Sequence, residues 1–376
     1  MSTINVPCDV ALDAVKGLLP YQPGKPIDEL ERELGLTNIV KLASNENPLG
    51  PSESVKQAIQ ASINDISLYP DGNGFALKQA LADKYGINPE MITLGNGSND
   101  VLDIIARVFL EQGREAVFSE YAFVVYAIAT QAVNATACVA KAKPVGVVDA
   151  YGHDLQAMAE LVTDKTAVVF IANPNNPTGT WLEPASLETF IAGLAPHIIV
   201  VLDEAYCEYL AQETYVDSIA WLQRFPNLII TRTFSKAYGL AGLRIGYALS
   251  QLAVADLLNR IRQPFNVNSI ALAAAEAALK DATYIEQSRE LNQQGLQQLE
   301  QGFDKLGLSY IPSVGNFICV DVGEQAADIY QALLGEGVIV RPVAAYKMPR
   351  HLRVSVGLKT QNASLLTALA KVLRRV

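Results

Sequence analysis

Cysteine and histidine are scarce in this chain, and neither is arranged for metal binding. Cys8, Cys138, Cys207 and Cys319 are the four cysteines of 376 residues, and no pair has Cys-x-x-Cys spacing. Such isolated cysteines fit reduced thiols in a cytoplasmic protein. His153, His197 and His351 show no ligand or triad spacing, so no metal is expected. Basic charge is also short: 29 Lys and Arg stand against 39 Asp and Glu, a net charge of -10. Nucleic-acid partners select basic faces, so none is expected. No apolar run reaches the roughly 18 residues of a membrane span. The first ten residues carry Asp9 and lack a basic-then-apolar leader, so no signal peptide is expected. No Gly-x-x-x-x-Gly-Lys-[Ser/Thr] occurs, which excludes a P-loop. Gly95-Asn-Gly-Ser-Asn-Asp100 fails the dinucleotide pattern, because position 100 is Asp.

Apolar material is abundant, at 50% of the residues. A chain of this length predicts two domains, since single cores stop growing near about 250–300 residues. Short apolar runs at 91–94, 116–118, 168–171, 198–202, 228–231 and 245–249 alternate with amphipathic stretches such as 100–110 and 182–194. The alternation predicts βαβ units in an α/β fold, with a mainly parallel sheet covered on both faces. Ligands of such sheets sit beyond the carboxyl ends of the strands. After residue 265 the texture shifts to a helical region over 269–306, strands at 317–320, 338–340 and 352–356, and a helix over 326–334. The expected division is an N-terminal arm, 1–40, packing with a small α+β domain, 266–376, and a large domain, 41–265.

Several polar motifs fall at the predicted strand ends. Thr231-Arg-Thr-Phe-Ser-Lys-Ala-Tyr-Gly-Leu-Ala-Gly-Leu-Arg244 presents Lys236 among small residues, with Ser235 beside it and Arg244 eight residues on. A lysine that forms a Schiff base must shed its proton, which burial and a cationic neighbour favour. Ser235 and Arg244 suit a phosphate, and lysine plus phosphate grip points to pyridoxal 5'-phosphate. Asn173-Pro-Asn-Asn-Pro-Thr-Gly179 has the composition of a turn, yet its place puts an amide donor before the sheet edge. Asp203-Glu-Ala-Tyr206 sets a carboxylate and a phenol three residues apart, and a carboxylate keeps a pyridine nitrogen protonated. Gly97, Ser98 and Asn99 open a helix whose free N–H groups either bind phosphate or are capped by Ser98 or Asn99. Arg341 and Arg353, on neighbouring strands, form a candidate clamp for a phosphate or carboxylate.

In this combination the motifs resemble those of the fold-type I pyridoxal-phosphate enzymes, specifically the class II aminotransferases. Pro20-Tyr-Gln-Pro-Gly-Lys-Pro26, Lys41-Leu-Ala-Ser-Asn-Glu-Asn-Pro-Leu-Gly50, Tyr69-Pro-Asp-Gly72 and Glu120-Tyr-Ala-Phe-Val-Val-Tyr126 look like those of the histidinol-phosphate aminotransferase family. The resemblance spans nearly the whole chain. It implies a seven-stranded sheet, with Lys236 as the residue joined to the cofactor and Asp203 on its pyridine nitrogen. By the same resemblance Asn176 and Tyr206 face its phenolic oxygen, and Tyr121 stacks on its ring. Gly97, Ser98, Asn99, Ser235 and Arg244 would hold its phosphate, with Tyr69 reaching across a homodimer and Thr233 assisting. Arg353, Arg341, Tyr21, Asn47 and Asn176 are then the substrate-binding residues. The implied reaction is ping-pong amino transfer between L-histidinol phosphate and 2-oxoglutarate, giving imidazole-acetol phosphate and glutamate, in histidine biosynthesis. Phenylalanine or tyrosine transamination and phosphothreonine decarboxylation are the alternatives. A regulatory module would need a DNA-binding appendage, for which the first forty residues are too short and too acidic.

Overall fold

The computed structural model describes residues 10–18, 24–211 and 217–375. A two-residue strand, β1 (Val40–Lys41), precedes seven strands that share one sheet: β2 (Ile92–Gly95), β3 (Glu115–Ser119), β4 (Thr136–Ala140), β5 (Thr166–Ala172), β6 (Ile199–Asp203), β7 (Leu228–Thr233) and β8 (Gly246–Ser250). Their order is β2-β8-β7-β6-β5-β3-β4. All neighbours are parallel except β8, which runs against both β2 and β7. This is the mainly parallel sheet expected from the alternating pattern. β4 escapes that pattern because Thr136, Ala137 and Val139 are exposed on an edge strand.

Successive residues of the central strands serve opposite cores. Val169 and Ile171 of β5, Val200 and Leu202 of β6, and Leu228 and Ile230 of β7 pack into one apolar cluster. Val168, Phe170, Ile199, Val201 and Ile229 pack into the other. Strands buried on both faces read as continuous β-branched and apolar runs rather than alternating ones. The helices Ser98–Phe109, Val124–Ala132, Leu155–Glu160 and Pro184–Gly193 are the crossovers between the parallel strands. The same alternation continues past the end of β6. Asp203 turns towards Tyr126 and Thr231, whereas Glu204 pairs with buried Arg232 at 2.7 Å.

Beyond β8 come the helices Leu252–Ile261, Ser269–Leu279 and Ala282–Lys305. The helical region expected over 269–306 is therefore two helices. The first ends at its C-cap Lys280, and Asp281 caps the second, its carboxylate accepting from the Tyr284 N–H at 3.1 Å. A second, antiparallel sheet holds β9 (Ser309–Ile311), β10 (Phe317–Asp321), β12 (Arg341–Pro342) and β13 (His351–Ser355), in the order β12-β13-β10-β9. The short strand β11 (Val338–Ile339) pairs in parallel with β1. The Leu42 N–H donates to the Ile339 carbonyl at 2.7 Å, and the Ser355 N–H donates to the Leu42 carbonyl at 2.9 Å. The segment from residue 40 onward is thus stitched to the C-terminal unit before the chain enters the large sheet. The expected arm contains the helix Ile27–Leu34, stopped by left-handed Gly35, whose Leu30 packs on Leu334 and Ile339. Among the described residues no helix is long and apolar enough to cross a membrane, and no cluster of side chains suits a metal ion.

Candidate active site

A cavity of about 260 Å³ opens at the carboxyl ends of β5, β6 and β7, beneath the second sheet. Asp203, the last residue of β6, lines it. Its carboxylate accepts from the Tyr126 hydroxyl at 2.8 Å and from the Thr231 hydroxyl at 3.1 Å. Burial pushes its pKa up to about 6, against the pull of those two hydrogen bonds. An acid in this state seeks a cation to neutralise it.

Lys236 lies three residues beyond the end of β7, in the same cavity. Its Nζ donates to the Ser44 carbonyl at 3.1 Å. Burial, with the nearby charge of Arg353, lowers its pKa to about 8. A substantial fraction of the amine is therefore unprotonated and nucleophilic at mildly alkaline pH. Tyr206 presents its ring 5.9 Å from that nitrogen, edge-on to Phe317. The Tyr206 oxygen accepts from Asn45 Nδ2 at 3.0 Å, and burial pushes the phenol pKa up to about 12.

The helix Ser98–Phe109 points its amino end into the cavity, which leaves free N–H groups and the positive end of the dipole there. Its cap is Gly97, at φ 86, rather than Ser98 or Asn99. A Cβ at Gly97 would lie 2.5 Å from Arg244 Nη2, and one at Gly246 would lie 2.5 Å from the Ser98 nitrogen. Both glycines exist so that the helix start, the Arg244 guanidinium and β8 can meet. Arg244, itself left-handed at φ 55, donates to the Ser235 hydroxyl at 3.3 Å. Asn99, Thr233 and Ser235 line the same corner.

The opposite wall is built by the second sheet. Arg341 on β12 pairs in register with Arg353 on β13, and both reach the cavity. Arg353 is buried, donating through Nη1 to Asn176 Oδ1 at 2.5 Å and through Nη2 to the Ala43 carbonyl at 2.8 Å. Its Nε has no hydrogen-bond partner among the described residues. A buried guanidinium with an unmet donor is suited to an anion.

Three expected residues lie away from the cavity wall. Asn47 is buried behind the Lys236 loop, donating to the Ala237 carbonyl and to Ser288 Oγ, both at 2.9 Å. Tyr121 packs its ring 5.5 Å from Tyr151, and the aromatic ring on the wall beside it is Phe123. Tyr69 is 83% exposed and stacks on Phe265 at 4.7 Å, outside this cavity. Tyr21 lies outside the described residues. Two residues that sequence reasoning did not single out touch the polar groups directly: Asn45 on Tyr206, and Tyr126 on Asp203. Both fall within quoted motifs, but only three-dimensional proximity reveals what they contact.

The fold and this site define the class. The chain belongs to the aminotransferases of class I and II, whose family model matches residues 37–369. Its similarity to particular members is strong. It is 58% identical to histidinol-phosphate aminotransferase 2 of Pseudomonas fluorescens, covering 97% of this chain and 98% of that one. It is likewise 58% identical to the enzyme of that name from Pseudomonas aeruginosa, over 97% and 98% of the two chains. Among solved structures, histidinol-phosphate aminotransferase from Sinorhizobium meliloti, in complex with pyridoxal 5'-phosphate, superposes with a TM-score of 0.88 at 31% identity, covering 97% and 98%.

Proposed function

We propose that this chain is a pyridoxal-phosphate-dependent aminotransferase that exchanges an amino group between L-histidinol phosphate and 2-oxoglutarate, a step of histidine biosynthesis, in the cytoplasm. The observation that carries the cofactor assignment is the set of three groups around one cavity: an amine lowered to about pKa 8, a buried acid raised to about 6, and a glycine-floored anion corner at a helix start. The unmet Nε of Arg353 supplies the fourth feature, a place for a substrate anion. The residues fit the group.

When bound, the cofactor supplies an aldehyde for amine capture and a pyridinium ring that withdraws electrons. Lys236 is the amine that would hold it, and the same Nζ, when free, is placed to act as the base that moves the proton at the substrate carbon. Asp203 keeps the ring nitrogen protonated, its own charge stabilised in return. Tyr206 and Asn176, both on the cavity wall, would serve the phenolic oxygen. Arg244, Ser235 and the N–H groups at Gly97, Ser98 and Asn99 would hold the phosphate, with Thr233 at the margin. Arg353 and Arg341 grip the substrate anion, and a guanidinium fork accepts carboxylate and phosphate alike. One grip can therefore serve two substrates in turn. Tyr69, exposed on an apolar surface, is the residue a second copy would contribute, so the working unit is a homodimer.

The test is a panel of amino donors against 2-oxoglutarate, read as glutamate formed. Histidinol phosphate is expected to give the highest kcat/KM. A preference for phenylalanine or tyrosine would replace the substrate, and CO₂ release from phosphothreonine without glutamate would replace the reaction.

A further inference from the structure

Asn45 is buried, at 1% exposure, and sits in the left-handed region at φ 55. Its amide orientation is settled by its neighbours. The Ser355 hydroxyl donates its single proton to Asn45 Oδ1 at 3.0 Å, while the Asn45 N–H donates to Ser355 Oγ at 2.8 Å. Turned the other way, the amide would leave the Ser355 proton without an acceptor among the described residues, so Oδ1 faces Ser355 and Nδ2 faces the Tyr206 oxygen at 3.0 Å. Ser355 is held in turn, by its register opposite Phe317 and by the hydrogen bond from its N–H to the Leu42 carbonyl. Asn316 Nδ2 donates to the Asn45 carbonyl at 2.9 Å and closes the cluster.

A phenol has one proton and accepts on the remaining side. Because Asn45 is a donor to Tyr206, the tyrosine cannot direct its own proton there. Its ring is fixed edge-on to Phe317, so the proton is left facing the cavity. We infer that Asn45, clamped by Ser355, is a positioning residue that aims the Tyr206 hydroxyl proton into the cofactor site. This inference rests on the reading of the site given above. A donor aimed at the phenolic oxygen of the cofactor favours that oxygen's charged form. It thereby lowers the midpoint of the pH-dependent visible absorbance of the loaded protein.

The experiment titrates that absorbance with pH in the cofactor-loaded protein. Asn45→Gly keeps the left-handed backbone and removes the amide. It is expected to raise the midpoint by roughly half a pH unit or more. Asn45→Asp keeps the shape, reverses the hydrogen bond and adds negative charge, so its shift is expected to be larger and in the same direction. Ser355→Ala, which frees the amide to rotate, should shift the midpoint less, but also upward. In a Tyr206→Phe background, Asn45→Gly should add nothing, because there is no proton left to aim. A midpoint unmoved by Asn45→Gly overturns the inference, and so does an equal shift in the Tyr206→Phe background. A wild-type chain that gives no visible band with added pyridoxal phosphate overturns the reading of the site, and this inference with it.

Discussion

Asp203 carries a cost when the site is empty. Its pKa is raised by burial from about 3.8 to about 6, so the folded protein holds that proton more tightly than the unfolded chain does. Stability accordingly falls as pH rises through that window, and the loss persists at neutral pH. Asp203→Asn is expected to stabilise the cofactor-free protein at pH 8 by about 1–3 kcal/mol, with the gain vanishing near pH 4. The same substitution should cripple turnover. Paired denaturation curves at the two pH values check it, and an unchanged or lowered midpoint at pH 8 refutes it. At this scale, legibility followed local sequence. Lys236 and Asp203 stand in motifs whose neighbours announce them. Asn45 and Tyr126 act on partners 161 and 77 residues away, so their roles appear only once the chain has folded.

Among the elements, the turn that joins β2 to the helix Ser98–Phe109 shows most directly how backbone geometry makes a binding corner. Gly97 permits a positive φ and leaves room for a guanidinium 2.5 Å from where a side chain would begin. The atom struck by a new methyl is the far end of a flexible arginine, but a side chain at φ 86 is itself strained, so Gly97→Ala is expected to fold with a loss of about 1–3 kcal/mol. The displaced Arg244 no longer completes the corner, and pyridoxal-phosphate affinity is expected to fall at least about tenfold, equivalent to about 1.4 kcal/mol. Equilibrium binding followed by absorbance measures this, and wild-type affinity would refute it. The sheet core was legible because β5, β6 and β7 are buried on both faces and read as unbroken apolar runs. Strand β4 was not, being exposed at an edge, and β1 was not, because two residues carry no periodicity. The helix Ile27–Leu34 was hidden by the prolines preceding it, although Pro26 marks its start and Gly35 its stop.

For the molecule as a whole, Ile66, Leu68, Tyr69 and Phe75 are each more than 60% exposed, and Phe265 lies under Tyr69. Contiguous exposed apolar residues mark an association surface. This is the face assigned to the proposed homodimer. Subunits carrying Lys236→Ala and subunits carrying Tyr69→Ala, each impaired alone, should recover activity when unfolded and refolded together. A mixed dimer has one site with an intact lysine and an intact partner tyrosine. Activity no greater than the sum of the separate preparations would refute the shared site.

The stitching of residues 40–45 to β11 and β13 also fixes when the site can be finished. During synthesis the large sheet is complete once residue 250 has emerged, but Leu42 has no Ile339 to pair with and Asn45 has no Ser355. An early segment thus finds its partners only on β11 and on β13, the last strand of the chain. A chain ending short of residue 355 would therefore carry every strand of the large sheet yet lack the Ser355 clamp on Asn45.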